Sequence, residues 1–229
     1  MAFIGSIGKA LISAAPGIAP GPVSAVLRTL IDLAIDGNAQ FTGARTLAGS
    51  ELEKHQGNVE TSINALMRHH ITLAGTQGFV TNLGGIATAF VSMPVNLVGV
   101  AIIQGRLVAS IAHLRGYDLG DDRVRAAILM CMLGRGAVEE LVAKGELPST
   151  PMGVATAPMS DGKLEQQIAE RVLASLTTAG GSKKVVSMLG RKIPLVGGGF
   201  GFAADSYSTA AVGRYAREQF VNRRPAIGD

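Results

Sequence analysis

A long stretch of this chain contains no charged residue. Residues 71 to 105 include no Asp, Glu, Lys or Arg, and they are bracketed by Arg68, His69 and His70 on one side and by Arg106 on the other. An unpaired charge is costly both in a protein core and in lipid. This run therefore belongs either to the most buried part of a core or to a segment that meets a membrane.

Pro94 divides the uncharged stretch into two parts. The part before it has four glycines among Thr, Gln and Asn residues, which is too interrupted for one smooth helix. The part after it predicts a helix from Val95 to Arg115, with a proline before its first turn, a basic residue in its last turn and Gly116 as its stop. We therefore predict an all-α fold, a single helical bundle with a central apolar helical hairpin and a glycine-rich C-terminal helix.

The predicted helix carries one polar seam on an otherwise apolar surface. At 100° per residue, the seam contains Asn96, Gly99, Arg106, Ser110 and His113. Neighbouring helices of a bundle could satisfy the seam, as buried polar groups normally require. Alternatively, Arg106 and His113 face the headgroup of a ligand. The sequence leaves both interpretations open.

Membrane spanning is a further alternative for the same region. Residues 83 to 103 are long enough to cross a bilayer. Against spanning, Pro94 and Asn96 lie near the middle of this segment, and the basic flanks indicate no clear orientation. Whether residues 83 to 103 span a membrane or lie in a soluble core therefore stays open.

The composition indicates that much apolar surface must be hidden. Hydrophobic residues make up 47% of the 229 positions and charged residues only 17%, and the mean hydropathy is +0.31. A core, a homo-oligomer interface or a membrane could hide this surplus. With 30 glycines and no Trp, packing relies on close backbone approach, as it does between helices in membranes.

The basic residues favour an anionic lipid surface over nucleic acid. The formal net charge is only +4, and basic residues are not interleaved with aromatic ones as single-strand binding requires. Four basic residues cluster just before an apolar segment, and they are Lys183, Lys184, Arg191 and Lys192. This cluster is typical of contact with anionic lipid, although a solvated basic helix end has the same pattern.

No residue pattern indicates a metal site, a cofactor or a catalytic centre. Cys131 is the only cysteine, which excludes an internal disulfide, favours a reducing compartment and, in its apolar helix, predicts a buried thiol. Adjacent His69 and His70 point about 100° apart on a helix and cannot grip one metal ion. Lys9 and Pro16 are poorly placed for a secretory signal, so we expect the chain in the cytoplasm.

We divide the chain into residues 1 to 45, an N-terminal helical extension and linker, and residues 46 to 229, the main helical domain. A helix is predicted from about Pro22 to Gly37, followed by a bend over residues 43 to 49 and a new helix from Ser50. Asp121 or Asp122 is predicted to cap the next helix. Residues 145 to 161 contain three prolines and predict a surface loop, and a helix is predicted from Lys163 to about Thr178.

The C-terminal stretch from residue 191 to 220 is rich in glycine and small residues. Gly197 with Gly201, and Thr209 with Gly213, lie four positions apart, a spacing that lets another helix approach closely. Asp205 is the only acid in the middle of this stretch. We expect it to pair with Arg106 or Arg214, and an exposed carboxylate is the alternative.

Two blocks of sequence resemble the EcsC family of bacteria. The first contains ITLAGTQGFVTNLGGIATAF and VNLVGVAIIQGRLVASIAHLRGYDLGDDRVR, and the second is RKIPLVGGGFGFAADSYSTAAVGRYAREQF. The chain looks closest to the actinobacterial members. The resemblance implies an all-helical, membrane-linked protein, with a role beside a transporter and a hydrolase activity as suggested functions, and it supplies no catalytic residue.

We predict that the chain is a non-enzymatic helical protein that associates with membrane or lipid. We further expect that it acts as an accessory protein to a transporter. It would lie at the inner face of the cell membrane, peripheral or partly inserted, and bind anionic lipid or an apolar ligand. The residues expected at the ligand are Arg106, His113, Asp205, Lys183, Lys184, Arg191 and Lys192. The alternative is a soluble helical hydrolase with a pocket around Asp205, Arg106 and His113.

Overall fold

The computed structural model describes residues 20–39, 41–75, 95–158 and 200–224, and most of these residues are helical. In chain order the elements are α1 (Pro20–Asp36), β1 (Gly37–Asn38), β2 (Phe41–Thr42), α2 (Ala44–Lys54), α3 (Val59–Gly75), α4 (Val95–Leu114), α5 (Asp122–Leu133), α6 (Arg135–Ala143), α7 (Pro151–Thr156) and α8 (Phe200–Gln219). Within these ranges the strands form one short antiparallel pair. The predicted all-α class is confirmed.

Helix α4 lies at the centre of the bundle. It packs against α1, α2, α3, α5 and α8, and every residue from Gly99 to Ala112 is buried. A helix that is apolar on nearly all sides belongs in a core, which explains this position. The helix predicted from Val95 to Arg115 is confirmed to within one residue, and Gly116, with a φ of +85°, follows its end.

The described helices contain none that combines the length and apolarity needed to cross a bilayer. The first arm of the predicted central hairpin falls on residues 76–94, which lie outside the described residues.

Helices α3, α4 and α8 pack against one another in all three pairs, and we call this group the α3–α4–α8 layer. Ser206 of α8 donates a hydrogen bond to the carbonyl oxygen of Ile71 near the end of α3, while Arg217 of α8 pairs with Glu60 at the start of α3. Helices α3 and α8 are therefore antiparallel. Arg106 of α4 contacts His70 near the end of α3, and Arg115, the residue directly after α4, contacts Glu60 at the start of α3. Helix α4 is therefore antiparallel to α3 and runs parallel to α8.

Small residues bring α8 close to its neighbours. Thr209 and Gly213 are both buried. A Cβ atom added at Gly213 would lie 3.0 Å from a methyl carbon of Leu107 and 3.3 Å from a methyl carbon of Met67. The close approach predicted for the pair of Thr209 and Gly213 is confirmed. Gly197 lies outside the described residues.

The hairpin after α1 depends on two glycines. Gly37 has a φ of +74°, and a Cβ there would lie 2.2 Å from the carbonyl oxygen of Phe41. A Cβ at Gly43 would lie 2.4 Å from the carbonyl oxygen of Ile35. These close approaches turn the chain directly into α2. The predicted bend over residues 43 to 49 is therefore wrong, since α2 already begins at Ala44.

The N-terminal helix α1 packs against α4 and contributes Leu30, Ile31 and Ile35 to the main core. The division of the chain at residue 45 stays a prediction.

The predicted surface loop over residues 145 to 161 is wrong in part, because α7 forms within it. Thr150 caps α7 by accepting a hydrogen bond from the backbone of Gly153, Pro151 occupies its first turn, and α7 packs against α5. The predicted cap by Asp121 on α5 and the buried position of Cys131 are both confirmed. The helix predicted from Lys163 to Thr178 lies outside the described residues.

Candidate functional site

One end of the α3–α4–α8 layer carries no charge. We call it the charge-free end, and it consists of residues 71–75 of α3, 95–105 of α4 and 200–204 of α8, none of which is Asp, Glu, Lys or Arg. The antiparallel arrangement brings these three segments to the same end of the layer. Both apolar stretches outside the described residues join the bundle here, since residues 76–94 connect α3 to α4 and residue 199 precedes α8.

Three ionisable residues, one on each helix, lie where the charge-free end stops. We call His70, Arg106 and Asp205 the boundary layer. Asp205 precedes Ser206, whose hydroxyl contacts the carbonyl oxygen of Ile71, and the neighbouring His70 contacts Arg106. The first ionisable groups met along the three helices therefore lie at one level. Along α4 the sequence shows this position as the end of the uncharged run, but only the helix packing brings His70 and Asp205 to it.

Arg106 is buried among neutral partners. Its Nε donates a hydrogen bond of 3.0 Å to Nε2 of His70, and its Nη1 donates one of 3.1 Å to the carbonyl oxygen of Thr42. Its guanidinium carbon lies 4.3 Å from the centre of the Phe41 ring. Only 5% of the residue is exposed, and burial lowers the pKa of Arg106 to about 10, which leaves it charged at neutral pH.

Within the described residues no carboxylate forms an ion pair with Arg106. This positive charge is stabilised by dipoles and one aromatic ring instead. A buried charge is costly unless it is well hydrogen-bonded, so the hydrogen bonds from Arg106 to His70 and Thr42 are needed to offset the burial of its guanidinium.

His70 is held as the neutral imidazole. Its Nδ1 lies 2.8 Å from the carbonyl oxygen of Leu66, to which it donates, and its Nε2 accepts the hydrogen bond from Arg106. Burial, and then the charge of Arg106, hold the pKa of His70 well below its ordinary value. The hydrogen-bonded pair of Arg106 and His70 thus has a net positive charge, which is located on the arginine.

Asp205 is half-buried near the start of α8, and burial raises the pKa of its carboxyl group. In the part of the chain that the structure describes, it forms no ion pair with Arg106 or Arg214. The expected pairing is therefore not observed there. Arg106 bonds to His70 and Thr42 instead, because its guanidinium points toward α3 and β2.

His113 has different surroundings from Arg106. The two residues lie seven positions apart on α4, a rise of about 10 Å. Burial lowers the pKa of His113, and Arg224 and Arg45 lower it further. Arg224 also donates a hydrogen bond of 3.3 Å to the His113 carbonyl oxygen. Within the described residues, no contact joins His113, Arg106 and Asp205 into one site. Lys183, Lys184, Arg191 and Lys192 lie outside the described residues.

Ionic groups are concentrated at the opposite end of the layer, which we call the charged end. It comprises Glu60, Arg115, Arg217, Arg223 and Arg224. Glu60 accepts from Arg115 at 2.5 Å and from Arg217 at 2.6 Å. The backbone of Arg223 donates a hydrogen bond of 2.8 Å to the Arg115 carbonyl oxygen, so the C-terminal tail covers the end of α4.

A cleft of about 370 Å³ lies beside the charged end. It is lined by Gly116, Tyr117, Asp118, Asp121, Arg123, Val124, Ala155, Thr156 and Arg223. Asp121 and Arg123 pair with each other there, and this pairing lowers the pKa of Asp121. The described residues contain no group of three side chains suited to hold a metal ion. The cleft thus offers paired charges and no activated nucleophile.

Gln104 is a buried polar residue that the sequence interpretation missed. Its amide donates hydrogen bonds of 2.6 Å to the hydroxyl of Ser208 and 3.3 Å to that of Thr209, which join α4 to α8. The available signal was an amide side chain in the middle of an apolar helix. Ser110, which belongs to the predicted seam, is buried and its hydroxyl has no hydrogen-bond partner in the described part of the chain.

The comparison with known proteins gives one match. A model of the EcsC protein family matches residues 2–224, nearly the whole chain. No curated protein and no solved structure shows significant similarity to it.

Proposed function

Because the chain belongs to the EcsC protein family, we propose that it is a membrane-associated protein that binds anionic lipid through its charge-free end. In this proposal the protein is non-enzymatic and lies at the cytoplasmic face of the cell membrane, peripheral or partly inserted. The actinobacterial type and the accessory role beside a transporter stay predictions.

The observation that supports the proposal most is the segregation of charge along α3, α4 and α8. The last residues of α3 and the first residues of α4 and α8 carry no charge, and these three segments lie at the same end of the layer. Both apolar stretches outside the described residues are connected to the helices at that end. Burial in the core explains why residues 99–105 of α4 carry no charge, whereas Thr72 in the uncharged end of α3 is exposed. A surface that enters the lipid interface needs to be free of charge, because charges are costly in hydrocarbon.

Basic residues near the charge-free end support binding to anionic lipid in particular. Arg68 is exposed on α3, and in the described part of the chain it pairs with no carboxylate. The sequence adds Lys183, Lys184, Arg191 and Lys192 ahead of the apolar residues that lead into α8. Each cation near an anionic surface contributes about 1 kcal/mol.

Co-sedimentation with vesicles tests this proposal. Wild-type protein should sediment with vesicles of phosphatidylcholine and phosphatidylserine and much less with phosphatidylcholine alone. The variant with Glu at positions Lys183, Lys184, Arg191 and Lys192 should lose most of the binding. Sedimentation that is the same with both lipids, or absent with both, would contradict the proposal.

A matched control reverses four other exposed cations, namely Lys54, Arg135, Lys144 and Arg223. The net charge changes equally, but these residues lie away from the charge-free end. Their known ion pairs are exposed and contribute little to stability. This variant should keep clearly more vesicle binding than the first. Equal losses would indicate a response to net charge only.

The alternative, a hydrolase with a pocket around Asp205, Arg106 and His113, has less support. Within the described residues these side chains make no contact with one another, and Arg106 and His113 bond to different neighbours. Should a hydrolysed substrate be found, unchanged turnover by the Asp205→Asn variant would dispose of this alternative.

A further inference from the structure

The most exposed large hydrophobic side chain in the described part of the chain is Tyr207. It is 68% exposed, compared with 45% for Val221 and 39% for Met152. Tyr207 lies on α8 two positions after Asp205, so it lies at the boundary layer. Val221 and Met152 lie at the other end of α8, where the backbone of Met152 contacts Gln219. Among these three exposed hydrophobic side chains, Tyr207 is therefore the one that lies at the boundary layer.

The chemistry of a tyrosine suits a lipid–water interface. Its ring is apolar and its hydroxyl is polar. At the boundary between hydrocarbon and headgroups the ring can contact acyl chains while the hydroxyl bonds to headgroups or water. On a helix surrounded only by water, an exposed ring gains nothing. The neighbours of Tyr207 along α8, Ser206 and Ser208, turn inward to hydrogen-bond with α3 and α4. Tyr207 alone of the three points outward.

The charges around Tyr207 fit an anionic surface. Arg214 lies seven positions farther along α8, on the same face and exposed, and Arg68 is exposed on the adjacent helix α3. Neither arginine pairs with a carboxylate in the described part of the chain. Among the described residues of α8, the acid beside Tyr207 is Asp205, and burial raises the pKa of its carboxyl group. The carboxylates of the layer, such as Glu60 and Glu218, are at the far end.

The distance from Tyr207 to the start of α8 also fits. Tyr207 lies seven positions after Phe200, a helical rise of about 10 Å, and the first five residues of α8 are uncharged. Interfacial protein elements bury their apolar parts by roughly 5–10 Å. With α8 upright on the membrane, the start of the helix is among the acyl chains when the ring of Tyr207 is level with the headgroups.

We propose that Tyr207 is an interfacial anchor, whose ring inserts at the headgroup level of an anionic bilayer and sets the depth and orientation of the bundle. This inference rests on the proposed function and deepens it. It places Tyr207 and Arg68 of α3 at the headgroups, with Arg214 about 10 Å farther from the bilayer along α8, and it directs the charged end toward water.

The chain has no tryptophan, which allows a site-specific test. The Tyr207→Trp and Val221→Trp variants each carry a single fluorescent reporter, both at exposed positions. With anionic vesicles whose acyl chains are brominated near the headgroup, the Trp at position 207 should shift to the blue and be quenched. The Trp at position 221 should do neither. Quenching of both reporters, or of the one at position 221 alone, would overturn the orientation.

Binding strength gives a second measurement. Tyr207→Ala should lower the vesicle partition coefficient about tenfold, since part of an aromatic ring no longer leaves water. Val221→Ala should leave it unchanged. Both positions are exposed, so neither variant should unfold, and thermal melting checks this.

The outcomes separate the two proposals. If wild-type protein does not bind anionic vesicles at all, the proposed function fails. If it binds but the reporter at position 207 is not quenched and Tyr207→Ala binds as well as wild type, only the anchor fails.

Discussion

Arg106 of helix α4 and Arg115, the residue directly after that helix, lie nine positions apart and are stabilised in different ways. Arg106, in the boundary layer, has neutral partners, namely His70, the Thr42 carbonyl group and the Phe41 ring. Arg115, at the charged end, pairs with Glu60, a carboxylate that it shares with Arg217. The same residue type is thus embedded in dipoles at one end of the layer and in ion pairs at the other.

The difference shows how the bundle separates its two ends. A carboxylate beside Arg106 would need its own desolvation, and the neutral partners avoid placing a second charge next to the charge-free end. At the charged end water reaches Glu60, so ion pairs form there with little penalty and little gain. The boundary layer is therefore where we expect substitutions to have the largest effects.

The largest contrast should come from removing each arginine. Arg106→Ala should lower the free energy of unfolding by about 3–5 kcal/mol, because it leaves His70 Nε2 and the Thr42 carbonyl oxygen without a donor and opens a cavity. Arg115→Ala should lower it by about 1 kcal/mol, since Glu60 keeps Arg217. Urea unfolding measures both. Arg106→Lys, which keeps the charge, should fall between them, and equal losses for both alanine variants would contradict the contrast.

Packing just beyond the boundary layer gives the next effect. Gly213→Ala should destabilise the protein by about 1–3 kcal/mol, because the new methyl group meets Leu107 and Met67 at less than normal contact distance. Gly49→Ala is the matched control within helix α2. A Cβ there has nothing within 4 Å, so the change should stabilise the protein by about 0.5–1 kcal/mol. Thermal unfolding would decide, and a stabilising Gly213→Ala would show that the layer can relax.

The boundary layer should respond to mild acid. The pKa of His70 is lower in the folded protein than in the unfolded chain. Below about pH 6.5 the unfolded state therefore binds more protons than the folded state, and the free energy of unfolding decreases as the pH is lowered. His70→Gln should reduce this slope by up to about 1.4 kcal/mol per pH unit between pH 6.5 and 5. Urea unfolding at several pH values tests this. An unchanged slope would mean that His70 does not stay neutral.

The smallest effect is expected at the cleft beside the charged end, and in a different pH range. Arg123 lowers the pKa of Asp121, so the stability contributed by that charge is present above the unfolded pKa and is lost as pH falls through the lower folded value. Asp121→Asn, which keeps the helix cap, should cost about 0.5 kcal/mol at pH 7. The difference from wild type should begin to shrink near pH 3.8, the unfolded value, and should vanish only below the lower folded pKa of Asp121. A difference that persisted in acid would point to the cap geometry instead.

Much of the fold follows from patterns that are local in the sequence. The helix from Val95 onward, its stop at Gly116 and the cap at Asp121 depend on residues within a turn or two of each other. The hairpin at residues 37 to 42 was missed, although two glycines bracket it, because their function depends on close backbone approaches between residues 35 and 43. Helix α7 does not follow from the local pattern, because prolines commonly mark loops, whereas Pro151 occupies the first turn of this helix.

The candidate site could be predicted only in outline. Arg106, His113 and Asp205 stand out in the sequence as isolated polar groups among apolar residues, and the uncharged run marks where they begin. The sequence could not supply their partners. Arg106 meets His70 across 36 positions and Gln104 meets Ser208 across 104, and contacts of that kind depend on which helix faces pack together.

The sequence by itself determined that this chain is helical, rich in close-packing glycines and uncharged over one long stretch, because hydrophobic period, capping and charge content are properties of neighbouring residues. The tertiary structure decided that three uncharged helix segments meet at one end, that Arg106 is hydrogen-bonded to a neutral His70 and not paired with Asp205, and that Tyr207 points outward beside them. Those facts follow from the antiparallel packing of α3 against α4 and α8, which no local pattern specifies.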